Sequence, residues 1–130
     1  MPVFKSVVSE AGRFMYDNYH FSEATECNGI LYCSGVIGTG EDHKIPEDAG
    51  EEFRNAWQEV GAVLKQAGMD YENIVEYTSY HVGLQALMAE FMSARDEVLS
   101  EPWPAWTAIG ITELAAPGAR VEIRITAKRG

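Results

Sequence analysis

The sequence predicts an α+β two-layer sandwich, a mixed β-sheet with two helices packed on one of its faces. Three observations carry that prediction. The tail from Pro104 to Ala127 alternates with a period of two in both of its halves, the mark of strands. Two runs, near residues 48–67 and 85–99, instead repeat apolar residues every three or four positions, the mark of amphipathic helices. Each of these runs follows strand-like segments. The order strand, strand, strand, helix, strand, helix, strand, strand lets both helices cover the same sheet face.

Taken in order, residues 3–8 (Val3, Phe4, Val7, Val8) read as a short strand and Glu10–Arg13 as a turn. Tyr16–His20 is polar and aromatic and reads as a loop or hairpin end. Phe21–Cys27 alternates as a strand. Asn28-Gly29 then matches a type I′ hairpin turn, because both positions tolerate φ > 0. Ile30–Ser34 returns as the next strand, ending at Gly35, and Thr39–Pro46 is a loop.

Asp48-Ala49-Gly50-Glu51 has the spacing of a capping box. Behind it Phe53, Trp57, Val60, Leu64 and Ala67 form one stripe, stopped by Gly68. Ile74–Val82, with Val75, Tyr77, Thr78 and Tyr80, is rich in strand formers. The second helix carries Leu87, Met88, Phe91, Val98 and Leu99 on its buried side. Arg95 falls on that stripe, where a charge needs a partner or must snorkel to the surface. Pro102 and Pro104 end the helix.

In the last strand Val121, Ile123, Ile125 and Ala127 share one face, and Glu122, Arg124, Thr126 and Lys128 share the other. In the preceding strand Ile109 and Ile111 are expected under the helices. Trp106, Ala108 and Gly110 are expected on the opposite, bare face, together with Tyr32. An uncovered face of this kind on a small domain invites self-association.

At 130 residues the chain has the length of one domain, residues 1–130, with one core. Its 20 acidic against 10 basic side chains give a formal net charge of −10. That balance argues against a nucleic-acid partner, which needs a basic stripe for phosphates. Cys27 and Cys33 are too few for a disulfide framework or a metal cluster and are expected as reduced thiols in a cytoplasmic protein. No apolar run is long enough for a membrane span, and Met1–Lys5 shows no signal peptide. His20, His43 and His81 lack metal-ligand spacing, so no metal and no cofactor are expected.

The hairpin with Tyr32-Cys33-Ser34-Gly35, the helix entering Gln66-Ala67-Gly68, the strand Ile74–Val82 and the tail Val121-Glu122-Ile123 together resemble the RidA/YjgF family, over residues 19–128. The resemblance implies a chorismate-mutase-like fold and a homotrimer whose sheets form a central barrel, with ligand clefts between neighbouring subunits. It also implies a site. Active members hydrolyse enamines and imines from amino-acid metabolism; an arginine holds the substrate carboxylate and a glutamate positions water. The glutamate matches Glu122, the strand-end Ser-Gly matches Ser34 and Gly35, and the cleft aromatic matches Phe21. The arginine after Pro-Ala is replaced by Trp106, the neighbouring cysteine by Ala108, and a helix asparagine by Arg95. The chain therefore looks like the arginine-lacking, YjgH-like subgroup.

Tryptophan offers one N–H and a flat apolar face, and it cannot neutralise an anion as a guanidinium fork does. The expected function is thus binding of a small metabolite at subunit boundaries. Imine deamination through Glu122 and Arg95 is the alternative, and ribonuclease activity a weaker one against this acidic composition. Each residue also has a plain structural reading. Glu122 is a strand carboxylate paired with Arg124 or Arg120. Trp106 packs or plugs the cleft. Ser34 bonds to backbone, with no general base beside it.

Overall fold

A computed structural model of the protein describes residues 1–130. Its strands are β1 (Lys5–Val7), β2 (Ala24–Cys27), β3 (Ile30–Cys33), β4 (Ile74–His81), β5 (Ala105–Gly110) and β6 (Val121–Lys128). Its α-helices are α1 (Arg13–Tyr19), α2 (Ala49–Gln66) and α3 (Leu84–Asp96), with one short 3₁₀ turn at Tyr71–Asn73. The six strands form a single mixed sheet in the order β1-β2-β3-β6-β4-β5. Only the β4–β5 pair is parallel.

The hairpin turn forms as its sequence dictates: Asn28 and Gly29 sit at φ 53° and 76° and join β2 to β3. Asp48 caps α2 by accepting the Glu51 N–H at 2.8 Å, one arm of the expected capping box. The apolar stripe of α2 (Phe53, Ala56, Trp57, Val60, Val63, Leu64) is buried along its whole length. It meets Val121, Ile123, Ile125 and Ala127 of β6, which are at most 2% exposed and alternate with more accessible neighbours. Aromatic rings join the helices to the sheet: Phe53 meets Phe91 edge-on at 5.6 Å, and Trp57 meets Tyr77 edge-on at 5.2 Å.

Two connections hold the sheet's far end to the helix layer. Glu52 of α2 is fully buried and accepts Arg120 Nε at 2.5 Å and the Arg120 backbone N–H at 2.7 Å. The same guanidinium donates to the carbonyls of Pro46 and Glu47. Gly38 allows the approach of the loop to α2, since a Cβ there would run into the Glu52 carbonyl oxygen.

Four sequence expectations are corrected. Residues 13–19 form helix α1, not a loop; it buries none of its side chains, so tertiary packing did not leave the apolar stripe that marks a helix in sequence. Helix α3 ends at Asp96, so Val98 and Leu99, expected on its buried side, lie beyond it. Phe21 lies in the irregular segment before β2, which begins at Ala24, and not in the strand.

The fourth correction matters most for function. Trp106 is in register with Tyr77, and Tyr77 with Ile125; Ala108 is in register with Ser79, and Gly110 with His81. Residues directly opposite one another point to the same side of a sheet. Trp106, Ala108 and Gly110 therefore face the helices, and a Cβ on Gly110 would indeed contact Leu84 of α3. The open face carries Ile109, Thr107, Tyr80, Glu122, Thr78, Arg124 and Tyr32 instead.

Candidate functional site

The matched residues fall into two groups within the protomer. The first lies at the open sheet face. A cleft of about 810 Å³ runs between the β2–β3 hairpin, the N-terminal strand and α1, lined by Phe4, Tyr16, Phe21, Tyr32, Ser34, Gly35 and Arg124, among others. Ser34 donates its hydroxyl to the Ser22 carbonyl at 2.7 Å, which pins the segment carrying Phe21 against the end of β3. Gly35 lets Glu122 lie close against this strand end: a Cβ there would stand 2.5 Å from the Glu122 carboxyl carbon, so the carboxyl would have to move.

Glu122 has no hydrogen-bond or ion-pair partner. Arg120 belongs to Glu52, and Arg124 Nε donates to the Cys33 carbonyl at 3.3 Å. Burial raises the Glu122 pKa above the usual carboxylate value. The expected pairing with Arg120 or Arg124 is thus absent, and the carboxyl is left available at the margin of the cleft. The Cys33 thiol points into the core and burial pushes it up to about 12, partly opposed by Arg124, so it is no nucleophile. Arg124 was not singled out as a cleft residue in the sequence, although its alternation with Glu122 along β6 placed both on one face.

The second group lies on the helix side, at the β5 edge. Trp106 stacks on Tyr77 with ring centroids 5.8 Å apart and an interplanar angle of 14°. Its indole N–H donates to Ser79 Oγ at 2.8 Å, and Ser79 Oγ lies 2.7 Å from His81 Nε2. Ser79 Oγ thus accepts from Trp106 and shares a second hydrogen bond with His81 Nε2, whose direction follows the imidazole tautomer. Burial lowers the His81 pKa and so favours the neutral ring.

Arg95 leaves the apolar stripe of α3 to lie over Trp106 at 5.1 Å and over Trp103 at 5.7 Å. Its Nε donates to Asp96 Oδ1 at 2.9 Å. Burial opposes its charge, but hydrogen bonding to Asp96 and the facing Tyr77 hydroxyl outweigh it and raise its pKa. With a side chain 18% exposed, Arg95 neither snorkels nor hides. Trp103 and Tyr77, which complete this group, carried no periodic signal that set them apart in the sequence. No cluster of three or more His, Cys, Asp or Glu side chains has metal-binding geometry, and no helix is long and apolar enough to cross a membrane.

A six-stranded mixed sheet with α2 and α3 on one side, a largely open opposite face and matched residues divided between a hairpin cleft and an edge strand define a small α+β domain of the RidA-like class. The chain belongs to the RidA/YjgF family: the family model described as Endoribonuclease L-PSP matches residues 15–129, and the chain is YjgH-like within it. It is 32% identical over 128 residues to the RutC family protein YjgH of Escherichia coli K12, covering 97% of this chain and 96% of that one. It is 30% identical to the 2-iminobutanoate/2-iminopropanoate deaminase of Bos taurus, over 85% of this chain and 80% of the relative. The solved structure of protein YJGH superposes with a TM-score of 0.87 at 28% identity, covering 98% of both chains.

Proposed function

We propose that this protein is a cytoplasmic homotrimer that binds a small metabolite in clefts completed by neighbouring subunits. The division of the matched residues carries the reading. Phe21, Ser34, Gly35 and Glu122 gather at the open face and its hairpin end, whereas Arg95, Trp106 and Ala108 sit beyond β4 on the other side of the sheet. One protomer cannot bring both sets to one ligand; a neighbouring copy laid along the β5 edge can. The open face supports the same assembly. Tyr32 and Ile109 are 43% and 41% exposed there, apolar surface that a partner copy would cover.

Trp106 stands where active relatives of the resemblance carry an arginine, and its ring is committed to Tyr77 and its N–H to Ser79. The usual carboxylate fork is therefore missing, and binding is favoured over the deamination named in several relatives. Sedimentation of the protein at micromolar concentration tests the assembly, with a trimer expected. A stable lone protomer rejects it.

A second reading, imine deamination, is favoured by one observation: Glu122 is an unpaired, partly buried carboxyl with a raised pKa, suited to holding or delivering a proton. In that reaction water adds across the C=N bond and ammonia leaves, giving the oxo acid. Ammonia release from 2-iminobutanoate generated in situ, measured beside the Glu122→Gln protein, decides it. A rate no higher than the protein-free background removes this reading. The acidic surface, with its net charge of −10, disfavours a ribonucleolytic one.

A further inference from the structure

The hairpin cleft carries a cation, Arg124, that is not among the residues matched to the family. We propose that this cleft takes an aryl phosphate, its phosphoryl group on Arg124 and its ring against Phe21 and Tyr32. The inference rests on reading the cleft as one half of the ligand site, and it names the class of ligand that half accepts.

Arg124 supplies the pole for an anion. It alternates with the core residues Ile123 and Ile125 and so projects from the open face of β6. Its Nε donates to the Cys33 carbonyl at 3.3 Å, which anchors the guanidinium to the end of β3. Arg124 forms no salt bridge, and its two terminal nitrogens have no partner within the protein. Both are free to donate to an oxyanion.

The hydroxyls around it select a tetrahedral head group. Ser6, Thr25 and Tyr32 are in register across β1, β2 and β3, so they stand in one row on the open face, about 4.8 Å apart from strand to strand. Of the hydroxyls that line the cleft, only that of Ser34 is spent, on the Ser22 carbonyl. Guanidinium and floor hydroxyls thus offer donors from more than one direction. Three terminal phosphoryl oxygens suit that arrangement better than the two coplanar oxygens of a carboxylate.

Charge points the same way. No Asp or Glu lines the cleft, although the chain carries a net −10. On the same sheet face Glu122 stands at the margin, and Glu76 holds the Thr126 hydroxyl. Exposed carboxylates farther away than about 8 Å are screened at physiological salt. Arg124 is the one permanent cation of the lining, which suits a single phosphoryl group and not a phosphate backbone. Phe21 and Tyr32 are both exposed, so each offers a ring face for stacking. The cleft's 810 Å³ falls within the roughly 300–1,000 Å³ of small-molecule sites. A neighbouring copy over this face would roof the cleft without supplying any of these residues.

Calorimetric titration at pH 8 and about 0.15 M salt, where a phosphate monoester is a dianion, tests the proposal with four probes: phenyl phosphate, methyl phosphate, phenol and benzoate. Phenyl phosphate is expected to bind tightest, with each of the others weaker by roughly tenfold or more. Arg124→Gln is expected to weaken phenyl phosphate by roughly tenfold or more and to leave phenol unchanged. Phe21→Ala is expected to weaken phenyl phosphate and leave methyl phosphate unchanged. Benzoate or methyl phosphate binding as tightly as phenyl phosphate, no binding of phenyl phosphate, or full affinity in Arg124→Gln overturns the proposal. The comparison among probes uses the unmodified protein, so it does not depend on the variants folding. Sedimentation of the same sample keeps ligand class and assembly apart. A monomer that prefers phenyl phosphate rejects the assembly and retains the ligand class, and a trimer without that preference does the reverse.

Discussion

The Trp106 indole N–H donates to the Ser79 hydroxyl at 2.8 Å across the parallel β4–β5 pair. This bond commits the tail tryptophan to the helix side of the sheet, against Tyr77, and extends through Ser79 to His81. The position that resembles a carboxylate-binding site in sequence is therefore an anchor between the edge strand and the aromatic core.

Restoring an arginine there does not restore an anion site. Trp106→Arg removes the stack on Tyr77 and the bond to Ser79, and sets a second guanidinium beside Arg95. The expected loss is on the order of 2 kcal/mol in denaturant unfolding, from lost packing and an unpaired hydroxyl. Stability equal to that of the parent would show that the stack carries no weight.

His81 is 1% exposed, packs edge-on against Phe91 at 4.7 Å and shares a hydrogen bond with Ser79. Its pKa is lowered by burial, so the unfolded chain takes up a proton that the folded state refuses. Stability is full above the unfolded value of about 6.5 and is lost as pH falls from there towards the folded pKa, with a slope of at most about 1.4 kcal/mol per pH unit. Chemical denaturation between pH 8 and pH 5 checks this. His81→Gln, less stable at pH 8, should lack that part of the slope.

Glu122 titrates in the opposite sense. Its folded pKa is raised by burial, so the folded state binds the proton more tightly and the ionised form is disfavoured. Below the unfolded value of about 4.3 both states are protonated and Glu122→Gln should match the parent. As pH rises from there through the folded pKa, the variant should become the more stable of the two. Identical melting temperatures at pH 4 and pH 8 would contradict an unpaired, partly desolvated carboxyl.

The Arg120–Glu52 pair makes the most severe prediction. Glu52 is fully buried and Arg120 supplies both its ion pair and its backbone hydrogen bond. Arg120→Ala strands the carboxylate in the core and should cost about 3–5 kcal/mol in unfolding free energy. Replacing both partners, as Glu52→Leu with Arg120→Met, should recover much of that loss, since no charge is then left unpaired.

The α2 stripe, the Asn28-Gly29 turn and the alternation of β6 were all legible in the sequence. Each is a local pattern whose period or turn chemistry allows only one regular structure. The family match and the positions of Ser34, Gly35 and Glu122 were legible for the same reason, being short stretches in fixed order. Helix α1 was not, because it buries nothing and so carries no apolar period. The side of the sheet taken by Trp106 was not legible either: alternation says that Trp106, Ala108 and Gly110 share a face, but not which one.

That choice belongs to pairing. By itself the sequence determined an α+β sandwich with two covering helices and a set of candidate residues. Tertiary structure decided that β4 stands between the two tail strands, and that the register Tyr77 with Trp106 turns the tryptophan inward. A strand's own pattern is invariant to being turned over, and only its neighbour's register fixes which face meets the core.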